Sequence, residues 1–99
     1  MNVEQALKIA KQDIQERISA SEELRQYRFD PVQFRSEYEY CWVFIARSED
    51  MAAEGYAPAA IFAYIDKQDG HSWSEAEVVD YFYATPAPEK IRQREQLAA

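Results

Sequence analysis

The sequence predicts an α+β fold in which an N-terminal helix packs on a small antiparallel sheet of three or four strands, with a second helix near the C-terminus. Three observations predict it: an apolar stripe at helical spacing opens the chain, alternating apolar residues follow, and a helix-capping signal begins at Ser74. The 99 residues, 47% of them apolar, fit a single domain over 1–99 with one core.

The first helix is predicted from the spacing of its apolar residues. Five of them recur at intervals of three and four, which places them on one side of a helix: Val3, Leu7, Ala10, Ile14 and Ile18. Asn2 can cap this helix, and Gln5 stands where the reciprocal partner of a capping box belongs. Polar residues replace the stripe after residue 18, so we expect the helix to end near residue 20.

Strand patterns occupy residues 27–35, 37–47 and 59–66. Pro31 interrupts the first, which predicts an edge strand or a bulge. The second becomes apolar on both faces in its second half, which predicts a central position in the sheet. The connection to the third favours one helical turn over residues 49–54, which Gly55 ends through its tolerance of a left-handed backbone.

The last third of the chain begins with a turn at residues 66–70, where aspartates and Gly70 favour reversal into a short strand at 71–73. Residues 74–77 have the form of a capping box, so a second helix is predicted to begin at Ser74. The prolines within 85–88 should end it. Residues 89–99 favour helix but carry few large apolar side chains, so we expect a loosely docked tail.

The cysteine content and the N-terminus predict a cytoplasmic location. One cysteine, Cys41, cannot form an internal disulfide, whereas a small domain in an oxidising compartment usually contains several disulfide bonds. The N-terminus has no basic segment followed by an apolar run, and no run approaches the roughly 20 apolar residues of a membrane span.

The residues that could perform chemistry are few. His71 is the only histidine and Cys41 the only thiol, and burial of Cys41 in its apolar strand would make it inert. One cysteine and one histidine do not supply a zinc site, and residues 66–70 depart from a calcium loop because Gln68 stands where an acid is needed. We therefore expect no catalytic residue, no metal and no cofactor, and a protein that works by binding.

The net charge of −7 is concentrated in the middle of the chain, since residues 49–80 contain eight acids and only one base, Lys67. Such a surface would repel nucleic acid and attract a basic protein. An alternative interpretation is that the acidity serves solubility alone. The candidate partner-binding residues are Glu49, Asp50, Glu54, Tyr56, Asp66, Asp69, Glu75, Glu77 and Asp80.

Aromatic residues provide a second candidate surface, because tyrosine and tryptophan are favoured at protein interfaces. We expect most of them in the core and a minority facing a partner: Tyr38, Tyr40, Trp42, Tyr56, Tyr64, Trp73 and Tyr81.

The order of these parts carries a family resemblance. An amphipathic helix precedes the strand motif Trp42-Val43-Phe44, a loop with Gly55 and Pro58, the turn Ile65-Asp66-Lys67 through Gly70, and a closing helix with Tyr81. Over residues 3–83 this order resembles the immunity protein 35 family of bacterial polymorphic-toxin systems. The resemblance implies a compact α+β protein that protects against a cognate toxin domain and needs no catalytic residues.

Two functions follow as expectations. The first is a cytoplasmic immunity-type protein that occludes a toxin domain, such as a basic nuclease, through the acidic segment. The alternative is a non-enzymatic adaptor or a homodimeric interaction domain. We expect no nucleic-acid or membrane partner in either case, and a monomer or a homodimer.

Overall fold

The computed structural model of the protein describes residues 1–83. Its elements, in chain order, are α1 (Val3–Ala20), α2 (Glu22–Arg25), β1 (Gln33–Glu37), β2 (Cys41–Arg47), α3 (Glu49–Ala53), β3 (Ala60–Asp66) and α4 (Glu75–Tyr83). The strands form one antiparallel sheet in the order β1-β2-β3. The predicted α+β fold is thus confirmed. The predicted helix end at 85–88 and the predicted tail at 89–99 lie outside the described residues.

Helix α1 begins and ends where the sequence predicts. The Asn2 side chain accepts from the Gln5 amide at 2.9 Å, and the Gln5 side chain accepts from the Asn2 amide at 3.0 Å, which completes the capping box. Most of the predicted stripe faces the core, since Ala10 and Ile14 are buried and Leu7 and Ile18 pack against the same cluster. Ala6 is buried as well, whereas Val3, in the first turn, remains 39% exposed.

The strand predicted over residues 37–47 is in fact a hairpin. Strand β1 ends at Glu37, the chain turns through Tyr38–Tyr40, and the Tyr38 amide donates to the Cys41 carbonyl at 2.8 Å. The turn contains no glycine, proline or asparagine, and the alternation of aromatic residues continues through it. The alternation therefore predicts one continuous strand where the chain in fact reverses direction.

Strand β1 also lies later in the chain than the predicted strand at 27–35. It starts at Gln33, after Pro31, and occupies an edge of the sheet. Its register with β2 shifts between Phe34 and Ser36, which is a bulge. The expectation of an edge strand or a bulge is confirmed, although Pro31 itself stands outside the strand. The short helix α2 was not expected.

Strand β2 forms the centre of the molecule. Residues 41–46 are all buried, and β2 pairs with β1 on one side and β3 on the other. Trp42, Phe44 and Ala46 pack in the cluster formed with α1, while Cys41 and Val43 pack against Trp73 on the opposite face. The predicted central position is therefore confirmed.

The chain after β3 turns as expected, but only one isolated bridge, between Ile65 and Ser72, stands in place of the predicted short strand at 71–73. Gly70 adopts a φ of +75° in this turn, in the left-handed region. The Ser74 hydroxyl accepts from the Glu77 amide, and the Glu77 carboxylate accepts from the Ser74 amide, so the second capping box forms as predicted. Within residues 1–83, no helix combines the length and the apolar character needed to cross a membrane.

Substitution of Ala10 by leucine tests the close approach of α1 to the sheet. Ala10 is completely buried against the cluster that contains Phe44 and Ile65, so extra methylenes have no space. We expect Ala10→Leu to lower the free energy of unfolding by about 1–3 kcal/mol. Ala20→Leu, at the exposed end of the same helix, should change it by less than about 0.5 kcal/mol. Urea unfolding of both variants measures this, and equal effects would contradict the packing.

Candidate functional site

The predicted contact residues form two groups, one at each end of the antiparallel pair β2 and β3. Arg47 pairs with Ala60 at one end, next to α3, and Cys41 pairs with Asp66 at the other, next to the turn. Six residue steps along a strand span about 20 Å. The acidic segment that is continuous in sequence is therefore divided in space: Glu49, Asp50, Glu54 and Tyr56 lie at the α3 end, whereas Asp69 lies at the turn, close to Glu77 in the first turn of α4.

Helix α3 presents its acids because a buried serine fixes its first turn. Ser48 is 2% exposed, and its hydroxyl accepts from the Met51 amide at 3.2 Å. Asp50 accepts from the Arg28 backbone amide at 2.9 Å, and this bond, followed by the one from the Arg28 guanidinium, lowers the pKa of the Asp50 carboxyl. Glu49 is exposed, and it forms no ion pair with a base within residues 1–83.

Two tyrosines connect α3 to the segment around α2. The rings of Tyr27 and Tyr56 meet edge to face with their centroids 5.9 Å apart. The Tyr27 hydroxyl donates to the Glu54 carboxylate, and the Tyr56 hydroxyl donates to the Glu23 carboxylate at 2.7 Å. The bond to Glu54, and then the contact with Tyr56, raise the pKa of Tyr27, so its hydroxyl stays protonated. We call Glu23, Tyr27, Glu49, Asp50, Glu54 and Tyr56 the α3 surface.

The contribution of Glu23 and Tyr27 to this surface was missed by sequence reasoning. Both lie more than 20 residues before the acidic segment and come close to Glu54 and Tyr56 only in the folded chain. Capping of α2 by Ser21, which accepts from the Leu24 amide at 3.1 Å, was the local signal that could have placed Glu23 on a helix.

Asp66 is buried, in contrast to the surface position expected of a predicted partner-binding residue. It is only 1% exposed. Its carboxylate accepts from the Trp73 indole at 2.8 Å and from the Gln68 backbone amide at 2.8 Å. These donors compensate the cost of burying the carboxylate, so Asp66 acts in folding by tying Trp73 to the turn.

His71 links the turn to the start of α4. Its Nδ1 faces the Asp69 carboxylate, and its Nε2 lies 2.8 Å from the Glu77 carboxylate. Partial burial alone would lower the pKa of His71, but the hydrogen bonds to Glu77 and Asp69 outweigh it and raise the pKa above its ordinary value. Partial burial alone would raise the pKa of Glu77. The hydrogen bonds from the Ser74 amide and from His71 outweigh this effect, and the pKa is lowered.

Potential metal ligands meet at this turn. Asp66, Asp69 and His71 each offer one ligand atom, and these atoms lie within 4.8 Å of one another. Each of them already has a hydrogen-bonding role in the fold, Asp66 with Trp73 and the turn, and His71 with Asp69. Hydrogen bonding accounts for the arrangement, so the geometry gives no reason to assign a metal here.

The only thiol is positioned as a core residue. Cys41 is completely buried, and burial, followed by the nearby Asp66 charge, raises its pKa to about 12. The thiol is therefore protonated at neutral pH, whereas a nucleophilic cysteine reacts as the thiolate. The prediction of a buried cysteine is confirmed.

The remaining predicted residues divide between surface and core. Glu75 and Asp80 are exposed on α4. Lys67, the single base of the acidic segment, pairs with Glu37 at 2.9 Å and not with an acid of the α3 surface, where Asp50 pairs with Arg28. Of the aromatic set, Tyr40, Trp42 and Trp73 are buried, Tyr64 and Tyr81 are half-buried, and Tyr38 and Tyr56 are exposed.

The bonds of His71 predict a pH-dependent coupling. Because its folded pKa lies above the ordinary 6.5, the contribution of His71 is complete below about pH 6.5 and is lost as the pH rises through the folded value. Because the folded pKa of Glu77 lies below the ordinary 4.5, its contribution is present above about pH 4.5 and is lost as the pH falls. The coupling should therefore be largest between these two values.

A double-mutant cycle measures this coupling. Urea unfolding of His71→Gln, Glu77→Gln and the double variant should give a larger interaction energy at about pH 5.5 than at about pH 8.5. The same cycle with Asp80→Asn, an acid one turn further along α4, is the control and should show little coupling at either pH. A pH-independent cycle would contradict the bridge.

Comparisons of the chain with protein-family models, with curated proteins and with solved structures find no match.

Proposed function

We propose that the protein is an immunity-type binding protein that neutralises a cognate toxin domain by covering it with the α3 surface. One observation carries the proposal. The carboxylates of Glu23, Glu49 and Glu54 form no ion pair with a base within residues 1–83. Those of Glu23 and Glu54 each bond one tyrosine of the pair next to α3.

Electrostatics favours a basic partner for such a surface. Opposite potentials steer two proteins together and raise the association rate, and the effect is strongest at low salt. The exposed Tyr56 and the half-buried Tyr27 provide aromatic contact area. Aromatic residues within a polar rim are typical of strong interface contacts. The α3 surface combines both features.

The resemblance to the immunity protein 35 family supports the proposed immunity function, because that family is inferred to protect against toxin domains. An acidic surface suits a toxin whose active site is basic, as in a nuclease that binds phosphates. The proposed mechanism is occlusion, in which the partner's positive surface is occupied and its substrate is excluded. It requires no catalytic residue in this chain.

Charge reversal tests the contact surface, using the product of a neighbouring toxin-like gene as the binding partner. The triple variant Glu49→Lys, Asp50→Lys and Glu54→Lys should slow association about tenfold or more at low salt, because steering is lost. The control carries the same change in charge elsewhere, as Glu39→Lys, Glu75→Lys and Asp80→Lys, and should slow association much less. Stopped-flow kinetics at several salt concentrations measures both.

Equal slowing in the two triple variants would show that only the net charge matters and would remove the α3 surface from the proposal. Failure of the wild-type protein to bind or inhibit that toxin would contradict the immunity function itself.

Self-association is the second candidate function, and an exposed aromatic residue favours it. Phe34 is 50% exposed on the edge strand β1, beside an apolar groove of about 320 Å³ that Val3, Leu7 and Phe44 also line. An edge strand with exposed apolar residues can pair with a second copy. Sedimentation at micromolar concentration should then give a dimer that Phe34→Ser converts to monomer. A wild-type monomer would contradict this alternative.

A further inference from the structure

We propose that the tyrosine pair within the α3 surface is a binding slot for an arginine side chain of the protein partner, with Glu23 and Glu54 as its anionic walls. This inference rests on the proposed function for the existence of a basic partner, and it adds the chemical group that the surface recognises.

The slot consists of four side chains in fixed mutual contact. The hydroxyl oxygens of Tyr27 and Tyr56 lie 3.4 Å apart, and each hydroxyl also bonds a different carboxylate, Tyr27 to Glu54 and Tyr56 to Glu23. Each hydroxyl of the aromatic pair therefore holds one negatively charged carboxylate. Tyr56 is 40% exposed. Each carboxylate bonds a tyrosine through one oxygen only, and no hydrogen bond occupies its second oxygen within residues 1–83.

Neighbouring structure holds the slot in place before any partner arrives. The Tyr56 amide donates to the Met51 carbonyl at 3.1 Å, and Met51 is buried. The Tyr27 amide donates to the Leu24 carbonyl at 3.2 Å, which fixes it to the end of α2. Side chains that are already ordered lose less entropy on binding.

Guanidinium chemistry matches this arrangement better than any other side chain. Its planar fork supplies several N–H donors for carboxylate oxygens, and its flat face can stack on an exposed aromatic ring such as that of Tyr56. An ammonium group provides the charge but neither the fork nor the flat face. The cation also relieves the repulsion between the two carboxylates.

The arginine next to Tyr27 in sequence does not bind Glu23 or Glu54. Arg28, one residue from Tyr27, points its guanidinium to Asp50 at 3.5 Å, and its side chain is 93% exposed. Within residues 1–83 no base forms an ion pair with Glu23 or Glu54.

An NMR titration tests the slot without any toxin, using N-acetyl-arginine methylamide as the probe. We expect saturable shifts of the amides at Glu23, Tyr27, Glu54 and Tyr56, with weaker binding of the lysine analogue and none of the neutral citrulline analogue. Tyr56→Ala and Glu23→Gln should each weaken arginine binding about fivefold or more. The matched controls Tyr83→Ala, an exposed tyrosine on α4, and Glu75→Gln should leave it unchanged.

Equal shifts with citrulline, or shifts spread evenly over the acids of α4, would overturn the slot. So would an unchanged affinity in Tyr56→Ala whose spectrum is otherwise native. These outcomes differ from failure of the immunity function. A toxin that binds wild-type protein and Tyr56→Ala equally removes the slot alone, whereas a confirmed slot with no toxin binding removes the immunity function alone.

Discussion

Burial of strand β2 on both faces is the constraint on which the rest of the structure depends. Residues 41–46 are all buried, so neither face of this strand can be left to water. Each large apolar side chain removed from water stabilises the fold by about 1.5–3 kcal/mol, and both faces therefore need a cover. Helix α1 covers one face, and Trp73 with the apolar side of α4 packs against the other.

Polar anchors position these covers relative to the sheet. The buried carboxylate of Asp66 holds the Trp73 indole, and Ser72 donates to Asp13 of α1 at 3.0 Å, so the turn after β3 is tied to both layers. The Arg17 guanidinium donates to the Phe62 carbonyl on the outer edge of β3. That bond satisfies an edge carbonyl that would otherwise be free to pair with another chain.

The same architecture decides where acidic residues can act. Helix α3 and the turn after β3 lie at opposite ends of the strand pair β2 and β3. The acids of α3 are therefore about 20 Å along the strands from the acids of the turn. At the turn, Asp69 and Glu77 bond His71, and Asp66 is buried. At the α3 end, Asp50 pairs with Arg28, whereas Glu49 and Glu54 form no ion pair within residues 1–83. Glu23 and Tyr27 join this end from elsewhere in the chain. The proposed binding surface is thus made of two distant segments.

Local sequence signals determined the features whose cause is local. Local or compositional signals predicted both capping boxes, the short helix α3 that precedes the left-handed Gly55, the left-handed Gly70 and the central position of β2. Only the tertiary structure decided the hairpin turn at 38–40, the burial of Asp66 and the meeting of Tyr27 with Tyr56. The turn contains no glycine or proline, and the other two features depend on contacts between residues far apart in the chain. The spacing of apolar residues in the sequence predicts neither kind of feature.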